Sequence, residues 1–162
     1  WLYSVAFQSQ FVAWTQQVCA LNKGEGVALD GKKLRRSQDG AHERAGIWMV
    51  SAWANENQMV LGQRKVDDKS NEITAVPLLL SALDIRGCIV TMDALNTQTE
   101  SAAAILKQGA DYLLPVKGNQ GTLDEDLHDL FDGFEAENYH EVVYDTAKHV
   151  SEGHHWRELR QC

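Results

Sequence analysis

The chain has 162 residues, 44% of them hydrophobic, enough to bury one core without help from disulfides or metals, so a single compact unit is the default. No run approaches the roughly 18 uninterrupted apolar residues of a membrane span, and no basic leader with a cleavage site opens the chain, so a soluble protein is expected. A net charge of −8 ordinarily disfavours a nucleic-acid partner, yet eight of the 23 acidic residues fall between Asp124 and Glu141 while Lys32, Lys33, Arg35 and Arg36 form a compact basic block.

Residues 5–21 carry Phe7, Phe11, Trp14, Val18 and Leu21 at helical spacing, which predicts an amphipathic helix ended by "NKGEG". Three strand-like runs follow, Val27–Asp30, Ile47–Trp53 and Met59–Val66, and the polar Ala54–Gln58 suits a hairpin between the last two. Ser70–Asp84 reads as a helix with Ile73, Val76, Leu79, Leu80 and Leu83 on one side, closed by Gly87. The apolar Cys88–Asp93 is expected to be a central strand buried on both faces. Thr97 with Glu100, and Thr122 with Glu125, have the capping-box spacing, each ahead of a helical stripe, and between them "DYLLPVKGN" reads as an edge strand because of Pro115. The acidic cluster is then the solvated face of the helix opened by Thr122. Alternating strands and helices in the second half require parallel crossovers, while the first half looks antiparallel. The expected fold is therefore α/β, a mixed sheet of about five strands with helices on both faces.

Cys19, Cys88 and Cys162 are an odd, widely spaced set without a C-x-x-C pair. That pattern argues against a secreted disulfide framework or a zinc site and for a reducing, cytoplasmic compartment. The chain begins with Trp1 rather than Met and stops at Cys162 just after a charged run that reads as helical. It is expected to be a piece of something longer, truncated at the C-terminus.

The segment "VALDGKKLRRS", Val27–Ser37, ends a strand in Asp30 and follows it with positive charge. Asp-Gly alone is as good a turn signal as it is a catalytic one. A second strand ends in Asp93, in "IVTMDALNTQ". If these two strands are parallel neighbours, about 4.8 Å apart, both carboxylates project into one small volume, and such a pair calls for a proton or a hard divalent cation, Mg²⁺ or Mn²⁺. Asp93 could equally cap the next helix. A two-metal site needs a third carboxylate, and spacing does not choose one.

Three blocks, "VALDGKKLRRS", the stretch from "VSAWANENQMVLGQRKVDDKSNEI" through "IVTMDALNTQ", and "GADYLLPVKGNQGTLDEDL", together resemble bacterial insertion-sequence transposases of the H-repeat-associated type. These belong to the DDE superfamily, whose catalytic domain has a ribonuclease H-like core. The resemblance runs from about Phe11 to the C-terminus. It implies residues 1–24 as a helical segment leading into a catalytic domain over 25–162. It also implies Asp30 and Asp93 as the first two acids and, through "HHWRELR", Glu158 as the third, with His154 and Arg160 at matching positions; His155 and Trp156 depart from the family pattern. The implied activity is metal-dependent strand cleavage and strand transfer on DNA, with two Mg²⁺ or Mn²⁺ ions held by Asp30, Asp93 and Glu158. Lys32, Lys33, Arg35, Arg36, Lys117 and Arg160 are the expected DNA contacts, and a homo-oligomer is compatible with this role. Two alternatives stand beside it: an inactive remnant with weak DNA binding, and a phosphatase with Asp30 as nucleophile, which lacks the usual second Asp because position 32 is Lys.

Overall fold

The structure, a computed structural model, describes residues 4–35, 37, 46–66, 72–140, 142–153 and 156–161, with the backbone alone at 4, 5, 156 and 161. The chain divides into two compact units, residues 1–119 and 120–162, each described by itself.

In the first unit a five-stranded sheet has the order β3-β2-β1-β4-β5. Strands β1 (Gly26–Lys33), β2 (Trp48–Ala54) and β3 (Met59–Val66) form an antiparallel meander. The β2–β3 connection is a four-residue turn, Asn55–Gln58, in which Gln58 takes a φ of 51°. On its other side β1 pairs in parallel with β4 (Ile89–Thr91), and β4 pairs in parallel with β5 (Asp111–Leu113) at the edge. Helices α2 (Glu72–Leu80) and α3 (Thr99–Lys107) make the crossovers that these parallel pairs require. The expected mixed sheet is present, with the predicted hairpin and the predicted edge strand.

Alternation along β1 sets the core. Val27 and Leu29 are buried and lie in register with Ala54 and Ala52 of β2, while Asp30 and Lys32 on the opposite face are exposed. Val90 of β4, Val76, Leu79 and Leu80 of α2, and Ile105 of α3 complete the same cluster.

Several local expectations are corrected. Asp30 and Gly31 do not form a turn: β1 runs through them to Lys33, in register with Ser51 and Val50, because paired neighbours on β2 satisfy the backbone that a turn would otherwise bend. The second helix stops at Leu80, and Gly87, at φ 75°, closes a later turn through a bond from Gly24 N–H to its carbonyl. Ser70, where that helix was expected to start, lies outside the described residues. Neither capping box forms. The N-cap of α3 is Gln98, and the Thr97 hydroxyl donates instead to the Pro115 carbonyl at 2.9 Å. Helix α4 (Gly121–Ala136) begins before Thr122, which is therefore inside it.

Helix α1 (Ser4–Val18) is present, but its apolar stripe is not the buried one. Phe7, Trp14 and Val18 are more than half exposed, whereas Thr15 and Cys19 are buried against the sheet. A polar anchor decides the rotation: the Thr15 hydroxyl bonds the Leu61 carbonyl of β3 at 2.8 Å and the Val12 carbonyl at 2.9 Å. Thr15→Val, nearly isosteric, should lower stability by about 1–2 kcal/mol, as removal of a buried hydrogen bond does. Urea unfolding checks this, and an unchanged midpoint would show that α1 docks by apolar contact alone.

In the second unit α4 is followed by an antiparallel hairpin of β6 (Lys148–Gly153) and β7 (Trp156–Gln161). The helix expected around Glu158 is thus a strand. "HHWRELR" has only Trp156 and Leu159 to offer an apolar face, too little to dock a helix, whereas pairing with β6 satisfies its backbone along six residues. Among the described residues no helix is long and apolar enough to cross a membrane.

Candidate active site

The β1–β4 pairing runs toward the first two predicted acids. Ala28 is the last residue of β1 in register with β4, opposite Thr91. Asp30 and Asp93 each lie two residues beyond that last pair, past the point where the β1–β4 ladder ends. The chain after Thr91 leaves the sheet there while β1 continues, so the two aspartates flank the opening where the strands part. Both residues are exposed.

Asp93 has a second task. Its carboxylate accepts from the Asn96 backbone N–H at 3.2 Å and from Asn96 Nδ2 at 2.8 Å, capping a short 3-10 turn, Ala94–Asn96. The capping reading of Asp93 therefore holds, and it coexists with a position at the end of β4. Asn96 is 1% exposed, and its Oδ1 has no hydrogen-bond partner among the described residues. The loop after β5 is tied to this turn: Asn119 Nδ2 donates to the Ala94 carbonyl at 2.8 Å, and the Thr97 hydroxyl to Pro115. These bonds carry the exposed Lys117 on a loop anchored to the Asp93 turn.

The basic block follows Asp30 along the same strand. Lys32 shares the face of Asp30, one pleat on, and Lys33 and Arg35 follow, all exposed. Arg36 lies outside the described residues, as do His154 and His155.

Glu158 belongs to the second unit, on β7 opposite Ser151. Arg160 grips it with two bonds, Nε to Oε1 at 3.0 Å and Nη2 to Oε2 at 3.0 Å. The two side chains sit on the same face of the strand because they are two residues apart.

Sequence reasoning passed over Glu72, the first residue of α2, which is only 2% exposed. Its carboxylate lies against Gly31, the residue after Asp30: a Cβ built there would overlap Glu72 Oε1 and Oε2. No spacing rule links positions 31 and 72. Only the observed extension of β1 through Gly31 makes it a glycine inside a strand, the kind of position that marks a close approach by another group.

The donors at the opening are carboxylate oxygens, the chemistry that suits Mg²⁺ or Mn²⁺. Among the described residues, however, no three His, Cys, Asp or Glu side chains are grouped to hold a metal ion. Asp30 and Asp93 fit a hard cation in donor type.

Comparison with known proteins identifies the family. Residues 15–159 match the family described as Transposase DDE domain. A protein of Escherichia coli O157:H7 named as a transposase, YncI, is 43% identical over 150 residues, covering 93% of this chain and 38% of that protein. The YncI of Escherichia coli K12 is 42% identical over 150 residues, 93% of this chain and 60% of the relative. An H repeat-associated protein of the same strain, YhhI, also named as a transposase, is 41% identical over 152 residues, 94% of this chain and 39% of its own length. The chain therefore spans between about two-fifths and three-fifths of these relatives. With a family match over nearly its whole length and relatives above 40% identity over more than nine-tenths of it, the chain belongs to the DDE-domain transposases.

Proposed function

We propose that this chain is the catalytic part of a transposase that cuts and joins DNA strands by phosphoryl transfer, with Asp30, Asp93 and Glu158 as its acidic residues. The observation that supports the reading is the parallel β1–β4 register, whose last pair, Ala28 and Thr91, lies two residues before Asp30 and Asp93 on their respective segments. Two carboxylates brought close together repel one another unless a cation lies between them. Asp30 and Asp93 would hold Mg²⁺ or Mn²⁺. When bound, the ions lower the pKa of an attacking water or 3′-hydroxyl and stabilise the leaving oxygen. Lys32, Lys33 and Arg35, with Arg36 after them, would hold the phosphate backbone beside the carboxylates, and Lys117 would contact it from the β5 loop. Asn119 and Thr97 orient that loop. The relatives' names support transposition as the process, and DNA is the corresponding partner.

A second reading, a folded but inactive remnant, is favoured by one observation: Glu158 is engaged by Arg160 on an exposed strand. Thermal unfolding with and without Mn²⁺ separates the two. A working centre gains stability as RT ln(1 + [L]/Kd), about 2.7 kcal/mol at a hundredfold excess over Kd, and Asp30→Asn removes that gain. A melting temperature that ignores Mn²⁺ in the unmutated chain supports the remnant.

A further inference from the structure

We infer that the groove between the N-terminal half of α1 and the open face of the meander receives an unpaired nucleobase of a DNA strand held beside Asp30. The inference rests on the proposed DNA-processing reading and adds to it a subsite with a stated ligand.

Strand register places the groove. Asp30 pairs with Ser51, and Ser51 with Gln63; one pleat on, Lys32 pairs with Met49, and Met49 with Lys65. Side chains of directly paired residues share a face of the sheet. These two rows therefore lie on the face of Asp30, opposite the buried Val27 and Leu29. A bond from Gln63 Nε2 to Ser51 Oγ at 3.1 Å agrees with that common side. Met49, Gln63 and Lys65 line a groove of about 430 Å³, the size of a small-molecule site. Its other side is made by Phe7, Gln8 and Phe11 of α1, with Leu34 just past the end of β1. From Asp30 to Gln63 is two strand spacings, about 10 Å, or about three steps of a stacked strand at about 3.4 Å each.

The lining matches a base on a phosphate backbone. Phe7 and Phe11 stack with ring centroids 6.3 Å apart and planes 19° from parallel, and Phe7 is 55% exposed. A single exposed apolar residue needs no explanation. Here Phe7 and Leu34 are both exposed and line one groove, and the Thr15 anchor fixes α1 in the rotation that keeps Phe7 outside the core. Ring faces and the Met49 thioether suit the flat surface of a base, and the amides of Gln8 and Gln63 supply polar atoms for its edge. Charge selects a polyanion over an apolar helix or a second copy of this acidic chain. Lys65 lines the groove, Lys32 lies in its row, the exposed Arg35 follows Leu34, and no acidic side chain is among the described lining residues. Aromatic faces beside cations are the combination that holds single-stranded nucleic acid.

The test is fluorescence anisotropy of two labelled probes on the full chain without divalent metal: an oligothymidylate, and an abasic oligomer of equal length. The probes carry the same phosphates and differ only in bases. The unmutated chain should prefer the oligothymidylate. Phe7→Ala should weaken that probe about tenfold and leave the abasic one unchanged, and Phe7→Trp should restore the preference. Lys65→Gln should weaken both probes alike. Circular dichroism reports the fold of each variant. Equal affinity of the unmutated chain for the two probes overturns the proposal, as does an unchanged preference in Phe7→Ala. Phe7→Leu binding as well as the unmutated chain overturns stacking, and it decides the matter if Phe7→Ala does not fold. A dimer in sedimentation that Phe7→Ala dissociates gives the groove to a second copy and also overturns the proposal. The catalytic reading fails separately. Asp30→Asn should keep the base preference in this metal-free assay, whereas its cleavage rate in Mg²⁺ tests the acids.

Discussion

Asp30→Asn and Asp93→Asn should each lower DNA strand cleavage by about a thousandfold or more while leaving the fold and melting temperature of the metal-free chain nearly unchanged. The size follows from the proposed chemistry: a carboxylate that anchors the ion contributes several kcal/mol to the transition state, and each 1.4 kcal/mol is a factor of ten. The neutrality of the fold follows from the geometry. Asp30 is exposed on β1, so an amide of the same shape disturbs no packing. Asn at position 93 keeps one oxygen that can accept from the Asn96 backbone N–H, so the 3-10 turn retains a cap. Cleavage of a labelled end-containing duplex in Mg²⁺, read beside a melting curve, makes the comparison. Cleavage at the unmutated rate by either variant removes that aspartate from the site, and a collapse of the melting temperature would assign it a structural role instead.

The largest effect on stability is expected at Glu25, which is fully buried between α1 and β1. Its carboxylate accepts from the Asn22 backbone N–H at 3.1 Å, from the Asn57 backbone N–H at 3.1 Å and from Asn57 Nδ2 at 3.0 and 2.9 Å. It thereby fastens the segment entering β1 to the β2–β3 turn. Burial pushes its pKa up, but the bonds from the Asn57 side chain and from nearby backbone N–H groups pull it down further, and the net direction is below the ordinary 4.5. Glu25→Gln substitutes an NH₂ group for one acceptor and should cost about 3 kcal/mol, a large share of a typical domain's stability.

The direction with pH is fixed by linkage. Because the folded pKa is depressed, the unfolded chain takes up the proton first as pH falls. The stabilisation by Glu25 is complete above about 4.5 and is lost as pH drops from there through the folded value. Urea unfolding of both forms between pH 7 and pH 3 should show their difference shrinking only in the acid range. A difference that stays constant would mean that the hydrogen bonds do not depend on ionisation.

Much of the fold could be read from residue patterns, because the information is local. The alternation of Val27 and Leu29 against Ala28 and Asp30, and the polar turn between two apolar runs, determine strands and a hairpin from neighbours in sequence. The expectation that the strand carrying Asp30 and the strand ahead of Asp93 are parallel neighbours, reached one step further, holds. Three things were not visible. The rotation of α1 depends on a hydroxyl of Thr15 meeting a carbonyl 46 residues away, which the aromatic spacing of Phe7, Phe11 and Trp14 could not reveal. The hairpin carrying Glu158 depends on pairing with Lys148–Gly153, so a short charged run looked like a helix. Glu72 was hidden because the space it needs is made by Gly31, a residue that in isolation speaks for a turn.

The way the sheet is joined makes its two halves unequal in durability. The β2–β3 contact closes over four residues, whereas β1 and β4 meet only after more than fifty intervening positions have been organised. Three register pairs hold that long-range seam. Non-local pairings carry the larger loop entropy and form late, and short seams open ahead of long hairpins. The meander is therefore the durable half of this sheet, and the three-pair seam just ahead of Asp30 and Asp93 is the junction that yields first when the domain loosens.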